Sequence, residues 1–324
     1  MILVTGATGT TGIEVLKRLT EYRSHALPIQ VRAMVRKPLD QINHLHHSRN
    51  VGPVEYVVAD FDDPSSLKRA LHGVTKAFLV TNSSERAEEQ QLRFVDLARA
   101  ASVRHIVYLS QLHAANDSPV RFLHYHAVVE KALEASGMCY TNLRPNLFMQ
   151  GLLMFAPAIA AQGRFFAPIT DAKISAVDVR DIADVAAAAL TQDGHQQKTY
   201  NLTGPEALTH AEMAAQLSKV LDQPVEFVEV SEAAMREALL SFHVPQWQTD
   251  GVIEDYAHYR LGHGATVSSR ILEVSGHLPR TFAQFALDHK QQFLSTQAGE
   301  QSTSETGSPP EGAEAFRPLN RLPS

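Results

Sequence analysis

The chain has 324 residues, which is enough for two domains or for one large domain with an extension. Hydrophobic residues make up 44% of it and charged residues 20%, a balance that excludes collagen-like and wholly disordered chains. Lys and Arg number 29 against 35 Asp and Glu, and the resulting net charge of −6 gives no counterion-release drive toward nucleic acid.

The first half of the chain alternates β-branched runs with segments of helical period, a pattern typical of a parallel sheet covered by helices on both faces. The predicted strands are Ile2–Thr5, Gln30–Val35, Val54–Ala59, Ala77–Val80, His105–Leu109 and Tyr140–Leu143. The predicted helices are Gly12–Glu21, Ser65–Leu71, Ala87–Ala101 and Pro119–Ala135. We expect Ser118 to cap the last of these helices, with Pro119 in its first turn. This order predicts an α/β domain over residues 1–150, a doubly wound parallel sheet of the Rossmann type.

Strict alternation fades after Leu147, which predicts a smaller C-terminal α/β substrate lobe over residues 151–294 that could interleave with the first domain. The elements predicted there are helices at Asp181–Leu190, His210–Leu221, Ser231–Ser241 and Thr281–Phe293, and a strand at Val225–Val230. Residues 295–324 are rich in Gly, Pro, Ser and Glu and are predicted to form a disordered tail.

Targeting signals are not evident in the sequence, because Met1 leads directly into a predicted strand. The longest apolar run, Leu152 to Ala161, is interrupted by Pro157 and is too short to cross a bilayer. The single cysteine, Cys139, has no partner for an internal disulfide. We therefore expect a cytoplasmic protein that does not enter the membrane, and whether it forms a homodimer is left open.

Three glycines separate the first strand from the first helix in the run ILVTGATGTTGIEV. Gly6 suits a tight turn, Gly9 lets the backbone approach a pyrophosphate, and Gly12 lets the helix lie close to the strand. The unpaired amides at the start of the helix would then face the phosphates. The residues predicted to hold a dinucleotide here are Gly6, Thr8, Gly9, Thr10, Thr11 and Gly12.

The second strand ends in AMVRKP, which places Arg36 and Lys37 where NAD-preferring folds carry an acidic residue. A guanidinium there can hold a 2′-phosphate through charge-assisted hydrogen bonds. The sequence therefore favours NADPH over NADH as the cofactor. The alternative is that both residues are solvated loop cations.

Polar residues also end the third and fourth strands. Asp60 could accept a hydrogen bond from the adenine amino group, with Phe61 beside the ring. Thr81 and Asn82 lie where the nicotinamide ribose should pass, and both a cofactor contact and an ordinary loop role remain open for them.

Together, the GATGTTG turn, AMVRKP, ADFDDPSSL, HIVYLS and HAVVEKALEASGMCYTNLRPNLFMQ make residues 1 to 290 resemble the NmrA-like group of atypical short-chain dehydrogenase/reductases. The group includes NADPH-dependent quinone oxidoreductases, azo-dye and triphenylmethane reductases and festuclavine-dehydrogenase-like enzymes. It also includes redox-sensing regulators that bind NADP without turnover. The resemblance implies an NADPH-dependent reductase with a small-molecule acceptor or, as the alternative, a non-enzymatic NADP sensor.

The wider superfamily uses a Tyr-x-x-x-Lys pair on the helix after the fifth strand. The resemblance places Phe122 at the tyrosine position and His126 at the lysine position, so the acid is missing. Ser110 occupies the place of the superfamily's catalytic serine and is expected to be at most a positioning group. Without an acid, ketone reduction is disfavoured, whereas quinones, azo compounds and cationic dyes accept hydride to give products that water protonates later.

His126 is the candidate to hold the nicotinamide ribose and to relay a proton. On a helix it faces Glu130 at i+4, and this pair is expected to bias its tautomer and raise its basicity. The alternative is a partly exposed histidine that is paired with Glu130 and has no role in the reaction.

The run LRPNLFMQ leaves the sixth strand at the carboxyl edge of the sheet, where ligands of doubly wound folds bind. Pro145 is predicted to contact the cofactor there. Asn146, Phe148 and Met149 are predicted to line the acceptor pocket, and the alternative is that they belong to the core.

No metal site is predicted. The histidines His44, His46 and His47 lack carboxylate or cysteine neighbours at a convincing spacing. Asp178 and Asp181 are expected to be structural, with Asp181 as a helix cap or first-turn charge.

Overall fold

The computed structural model describes residues 1–21, 29–38 and 54–295. The predicted histidine cluster at His44, His46 and His47 and the predicted tail beyond residue 295 lie outside these residues. The strands are β1 (Ile2–Val4), β2 (Val31–Val35), β3 (Val54–Val58), β4 (Lys76–Leu79), β5 (His105–Leu109), β6 (Cys139–Pro145), β7 (Arg164–Ala167), β8 (Lys198–Leu202) and β9 (Glu226–Glu229).

The helices alternate with these strands through the first half of the chain and dominate the second half. They are α1 (Thr10–Glu21), α2 (Pro64–Leu71), α3 (Ala87–Ala100), α4 (Arg121–Ala135), α5 (Ala156–Gln162), α6 (Val179–Thr191), α7 (His210–Leu221), α8 (Glu232–Ser241), α9 (Gln246–His258), α10 (Arg270–Ser275), α11 (Phe282–Asp288) and α12 (Lys290–Leu294). A 3₁₀ helix at Met149–Phe155 and a π-helical turn at Tyr259–His263 complete them. Among the described helices, none has the length and apolar character needed to span a membrane.

The main sheet has seven parallel strands in the order β3-β2-β1-β4-β5-β6-β8. Ile2 of β1 pairs with Val31 of β2 on one side and with Lys76 of β4 on the other. The strand order reverses at β1, and this switch point is where doubly wound sheets bind ligands, beyond the carboxyl ends of the strands. The predicted doubly wound α/β fold is confirmed.

The chain divides into two compact units that interleave in sequence. The first comprises Met1–Pro145, Val179–Leu202 and Ser268–Leu278 and contains the seven-stranded sheet. All five residues of the central strand β5 are buried, as expected for a parallel sheet that is covered on both faces.

The second unit comprises Asn146–Asp178, Thr203–Val267 and the described residues from Pro279 onward. It contains the two-stranded parallel sheet formed by β7 and β9. Its largest fully buried side chains are phenylalanines, namely Phe165, Phe282, Phe285 and Phe293.

Two predicted helix boundaries are wrong. Helix α4 begins at Arg121 rather than at Pro119, because the Ser118 hydroxyl accepts a hydrogen bond from the Val120 amide in a local turn and does not cap the helix. The predicted helix Thr281–Phe293 is two helices, α11 and α12, which meet at His289 with a non-helical φ of −105°. Strand β8, which completes the seven-stranded sheet, was not predicted from the sequence.

Candidate functional site

The turn between β1 and α1 is shaped by two glycines. Gly6 has a φ of +55°, and a Cβ there would lie 2.7 Å from the Val80 side chain. A Cβ on Gly12 would lie 2.1 Å from the Gly6 carbonyl oxygen, so no side chain fits between the helix and the turn. Thr8, Gly9 and Thr10 are exposed, whereas Thr11 and Gly12 are buried. The open turn and the first amides of α1, which lack helical partners, form a cradle that fits a pyrophosphate.

Thr5 fixes this turn to the neighbouring strand. Its buried hydroxyl donates to the Val80 carbonyl at 2.9 Å and accepts from the Val80 amide at the same distance. A threonine at the end of a strand is common, so the sequence pattern alone does not mark Thr5 as a site residue.

Arg36 and Lys37 follow β2, which is hydrogen-bonded to β1. Both side chains are exposed, and neither forms an ion pair with another described residue. Their charges are thus free to meet a phosphate beside the glycine turn.

The residues after β3 make hydrogen bonds and ring contacts with other parts of the first unit. Asp60 is exposed, and its Oδ1 accepts a hydrogen bond from the Asp62 amide at 2.9 Å. The Phe61 ring is half-buried, with its centroid 5.8 Å from that of Phe94. Arg93 donates to the Phe61 carbonyl at 3.0 Å, which fixes this loop against α3. Asp60 and Phe61 as adenine contacts stay predictions.

His126 has a different partner from the predicted one. Its Nδ1 lies 2.6 Å from the Tyr108 hydroxyl, and it is not paired with Glu130. Burial and, to a smaller extent, the nearby Arg144 charge lower the pKa of His126 to about 3. The prediction of a raised basicity is therefore wrong, because Glu130 is engaged elsewhere.

Glu130 joins Ser110 and Arg144 in a buried cluster. The Ser110 hydroxyl donates to Glu130 Oε1 at 2.5 Å. Arg144 donates through Nε to the same oxygen at 2.9 Å and through Nη2 to Oε2 at 2.5 Å, a bidentate pair that raises the pKa of Arg144. The Ser110 proton is thus directed to Glu130, and the role of Ser110 as at most a positioning group stays a prediction.

Two buried phenols lie near His126, and sequence reasoning missed the first of them. The Tyr108 hydroxyl donates to Gln91 Oε1 at 2.7 Å, and burial raises the pKa of Tyr108 well above its ordinary value. The Tyr125 ring centroid lies 4.1 Å from that of His126, and its hydroxyl lies 3.2 Å from Ser83 Oγ. Phe122, which the resemblance places at the position of the superfamily's tyrosine, is buried.

Thr81 and Asn82 follow β4, which ends at Leu79. Thr81 Oγ1 accepts a hydrogen bond from Gln91 Nε2 at 2.6 Å, and the Asn82 side chain is exposed. Pro145 ends β6, where it is buried and its carbonyl accepts from the Leu112 amide at 2.8 Å. The cofactor contacts of these three residues stay predictions.

Two of the three predicted pocket residues have structural roles in the second unit. Asn146 is buried, and its amide nitrogen donates to Ser175 Oγ at 2.9 Å and to the Gly264 carbonyl at 2.8 Å. Met149 is 3% exposed and packs in the hydrophobic core. These contacts favour the core alternative for Asn146 and Met149, and their pocket role stays a prediction. Phe148 is half-buried, and its pocket role stays a prediction.

Asp181, Asp184 and His277 are close enough to share a cation. Asp184, however, pairs with Arg18 Nε at 2.6 Å and with His277 Nε2 at 3.0 Å. Asp181 lies in the first turn of α6 and is buried, as predicted. Because Arg18 already supplies positive charge to Asp184, the arrangement works as an ion-pair cluster within the first unit.

The chain belongs to the NmrA-like family, whose sequence model matches residues 1–286. It is 36% identical over 293 residues to an NAD(P)H azoreductase from Xenophilus azovorans, covering 90% of this chain and 99% of that protein. It is 37% identical over 294 residues to a (4-alkanoyl-5-oxo-2,5-dihydrofuran-3-yl)methyl phosphate reductase from Streptomyces griseus, again over 90% and 99%. The resemblance predicted from the motifs is confirmed.

Among solved structures, the chain is similar to an NADPH-dependent quinone oxidoreductase from Escherichia coli in complex with NADPH. The TM-score is 0.77 at 31% sequence identity, and the match covers 88% of this chain and 98% of that one. The fold and the order of its elements are thus those of a family member that binds a dinucleotide.

Gly12→Ala is expected to destabilise the protein, because its Cβ would lie 2.1 Å from the Gly6 carbonyl oxygen and backbone must move. The free energy of unfolding, measured with urea, should fall by roughly 1–3 kcal/mol. Gly151→Ala is the control, since a Cβ there has no atom within 4 Å. Equal stability of the two variants would contradict the close approach.

Arg144→Met should cost about 3 kcal/mol of unfolding free energy, because it leaves the buried Glu130 carboxylate without its cationic partner. The matched control is Arg164→Met. The side chains of Arg164 and of its partner Glu226 are both more than half exposed, so losing this ion pair should cost under about 1 kcal/mol. Similar losses for the two variants would show that the Glu130 cluster does not stabilise the sheet.

Proposed function

We propose that the protein is an NADPH-dependent reductase that passes hydride to a quinone-like, azo or other conjugated acceptor. One observation carries this proposal: the first unit combines an open dinucleotide cradle with a phenylalanine at the place that the resemblance assigns to the superfamily's proton donor. Phe122 stands where the superfamily keeps its proton-donating tyrosine. Of the neighbouring polar groups, His126 is neutral, Tyr108 has a raised pKa, and Ser110 donates its proton to Glu130.

The chain's own residues fit NADPH. A Cβ on Gly12 would collide with the turn that forms the cradle, and the first amides of α1 are left for the pyrophosphate. Arg36 and Lys37, exposed beside it, would hold the 2′-phosphate. The residues that would bind the rest of the cofactor are Asp60, Phe61, Thr81, Asn82, His126 and Pro145. When bound, NADPH supplies a hydride from C4 of its nicotinamide.

The protonation states of the polar side chains decide which class of acceptor the site can reduce. His126 is neutral at physiological pH because its pKa is lowered to about 3. Tyr108 keeps its proton, since its pKa is raised, and the Ser110 proton is directed to Glu130. A ketone needs a proton at its oxygen as hydride arrives, so it is a poor substrate for this site. Conjugated acceptors give a delocalised anion or a neutral product, which water can protonate afterwards.

The relatives support this acceptor class. One is named for azo reduction and one for quinone reduction, and each matches nearly the whole of its own length. The occupant of the site is thus a small molecule. Cytoplasmic residence stays a prediction from the sequence, and whether the protein forms a homodimer stays open.

The direct test is consumption of NADPH by the purified protein, followed by the absorbance of the reduced nicotinamide. We expect steady consumption with simple benzoquinones and azo dyes, and no consumption with saturated ketones. Tight binding of NADPH without consumption across the whole panel would contradict the proposal and support the NADP sensor instead.

The cofactor preference has a separate test. Arg36→Asp should weaken NADPH binding by roughly 10- to 100-fold, the loss expected for a charged hydrogen-bonded contact, and should leave NADH binding unchanged or improved. Calorimetry with both cofactors measures the change. Arg99→Asp is the control, because it makes the same charge change at a side chain that is 61% exposed on α3. Unchanged NADPH affinity in Arg36→Asp would show that another residue holds the 2′-phosphate.

A further inference from the structure

Four side chains form a continuous hydrogen-bonded chain in the first unit. Gln91 Nε2 donates to Thr81 Oγ1 at 2.6 Å, the Tyr108 hydroxyl donates to Gln91 Oε1 at 2.7 Å, and Tyr108 lies 2.6 Å from His126 Nδ1. The chain links the end of β4 to α3, β5 and α4. Gln91 and Tyr108 are 1% and 0% exposed, so solvent does not compete for these bonds.

The two ends of the Gln91 amide set the direction of every bond. Its nitrogen can only donate and its oxygen can only accept, so the single Tyr108 proton goes to Gln91. The Tyr108 oxygen then accepts from His126, which must carry its proton on Nδ1. A neutral imidazole has one N–H, and His126 Nε2 is therefore a bare acceptor.

Both ends of the chain retain unused hydrogen-bonding capacity. Among the described residues, none hydrogen-bonds to His126 Nε2, and none accepts the Thr81 hydroxyl proton. Thr81 follows β4 at the carboxyl edge of the sheet, beside the strand order reversal at β1. The chain thus presents one acceptor and one donor.

We propose that Tyr108 and Gln91 are positioning residues that hold His126 as the Nδ1–H tautomer, so that its Nε2 accepts a hydrogen bond from a hydroxyl of the nicotinamide ribose. The same chain leaves the Thr81 hydroxyl to donate to the cofactor. This inference rests on the proposed function, because it assumes NADPH in the cradle.

This polarity is the reverse of the superfamily's arrangement. A lysine ammonium at the place of His126 can only donate to the ribose, and it brings a positive charge. Neutral His126 accepts instead and adds no positive charge where the oxidised cofactor carries one. Compared with a site that holds a lysine here, this site therefore destabilises the bound oxidised cofactor less.

The tautomer can be measured on the protein without cofactor. Nitrogen NMR of protein labelled in its histidines distinguishes a protonated Nδ1 from a protonated Nε2, and His126→Gln assigns the signal. We expect the His126 proton on Nδ1. Tyr108→Phe removes only one hydroxyl and should shift this signal toward the other tautomer. Gln91→Met removes the next link at nearly constant volume and should act in the same direction.

Binding of NADPH gives the second readout. Tyr108→Phe should weaken NADPH affinity by roughly three- to tenfold, as expected when one oriented hydrogen bond is lost. Tyr200→Phe is the matched control, because it deletes a buried phenol on β8 whose hydroxyl lies 2.9 Å from a different histidine, at His195 Nδ1. It should leave the His126 signals and the NADPH affinity within about twofold of the wild type.

A proton on Nε2 in the wild type would overturn the proposal, since the Gln91 amide and every bond of the chain would then run the other way. Unchanged His126 signals and unchanged affinity in Tyr108→Phe would overturn it as well. If the wild type does not bind NADPH, the proposed function fails, while the tautomer measurement still decides the direction of the chain.

Discussion

The close approach of α1 to the turn after β1 is the constraint on which the site depends. With 2.1 Å between a hypothetical Gly12 Cβ and the Gly6 carbonyl, helix and turn are in direct backbone contact. The buried Thr5 hydroxyl fastens the same turn to Val80. These contacts keep the first amides of α1 at the switch point of the sheet, and the cations after β2 are useful only because the cradle lies beside them.

The first unit contains two separate hydrogen-bond systems in place of the tyrosine and lysine pair that the wider superfamily uses. One is the Glu130 cluster with Ser110 and Arg144, which consumes the proton of the superfamily's serine position. The other orients His126 through Tyr108. His126 is neutral there and the Ser110 proton is used by Glu130, an arrangement that suits acceptors which stabilise the arriving electron pair themselves.

The sequence predicts the sheet and the glycine turn well, because both depend on local patterns. Strands β2 to β5 lie within a residue or two of their predicted limits. The partner of His126 was missed for a physical reason: i,i+4 spacing puts Glu130 on the same helix face, but β6 brings Arg144 to that carboxylate. Tyr108 looks like an ordinary apolar strand residue in HIVYL, and its bond to Gln91 exists only in the packed fold. Strand β8 was missed because KTYNL is short and half exposed.

Because the two units interleave in sequence, the main sheet cannot be completed until much of the chain has been synthesised. The last strand of the main sheet, β8, arrives 53 residues after β6 ends at Pro145, with α6 just before it. Until then, β6 is an edge strand with unpaired amides and carbonyls on one side. A nascent chain that has emerged from the ribosome only as far as residue 150 therefore exposes the unpaired edge of β6, which other chains could pair with. Completion of the Rossmann sheet must await translation of the intervening segment, a period in which chaperone protection matters most.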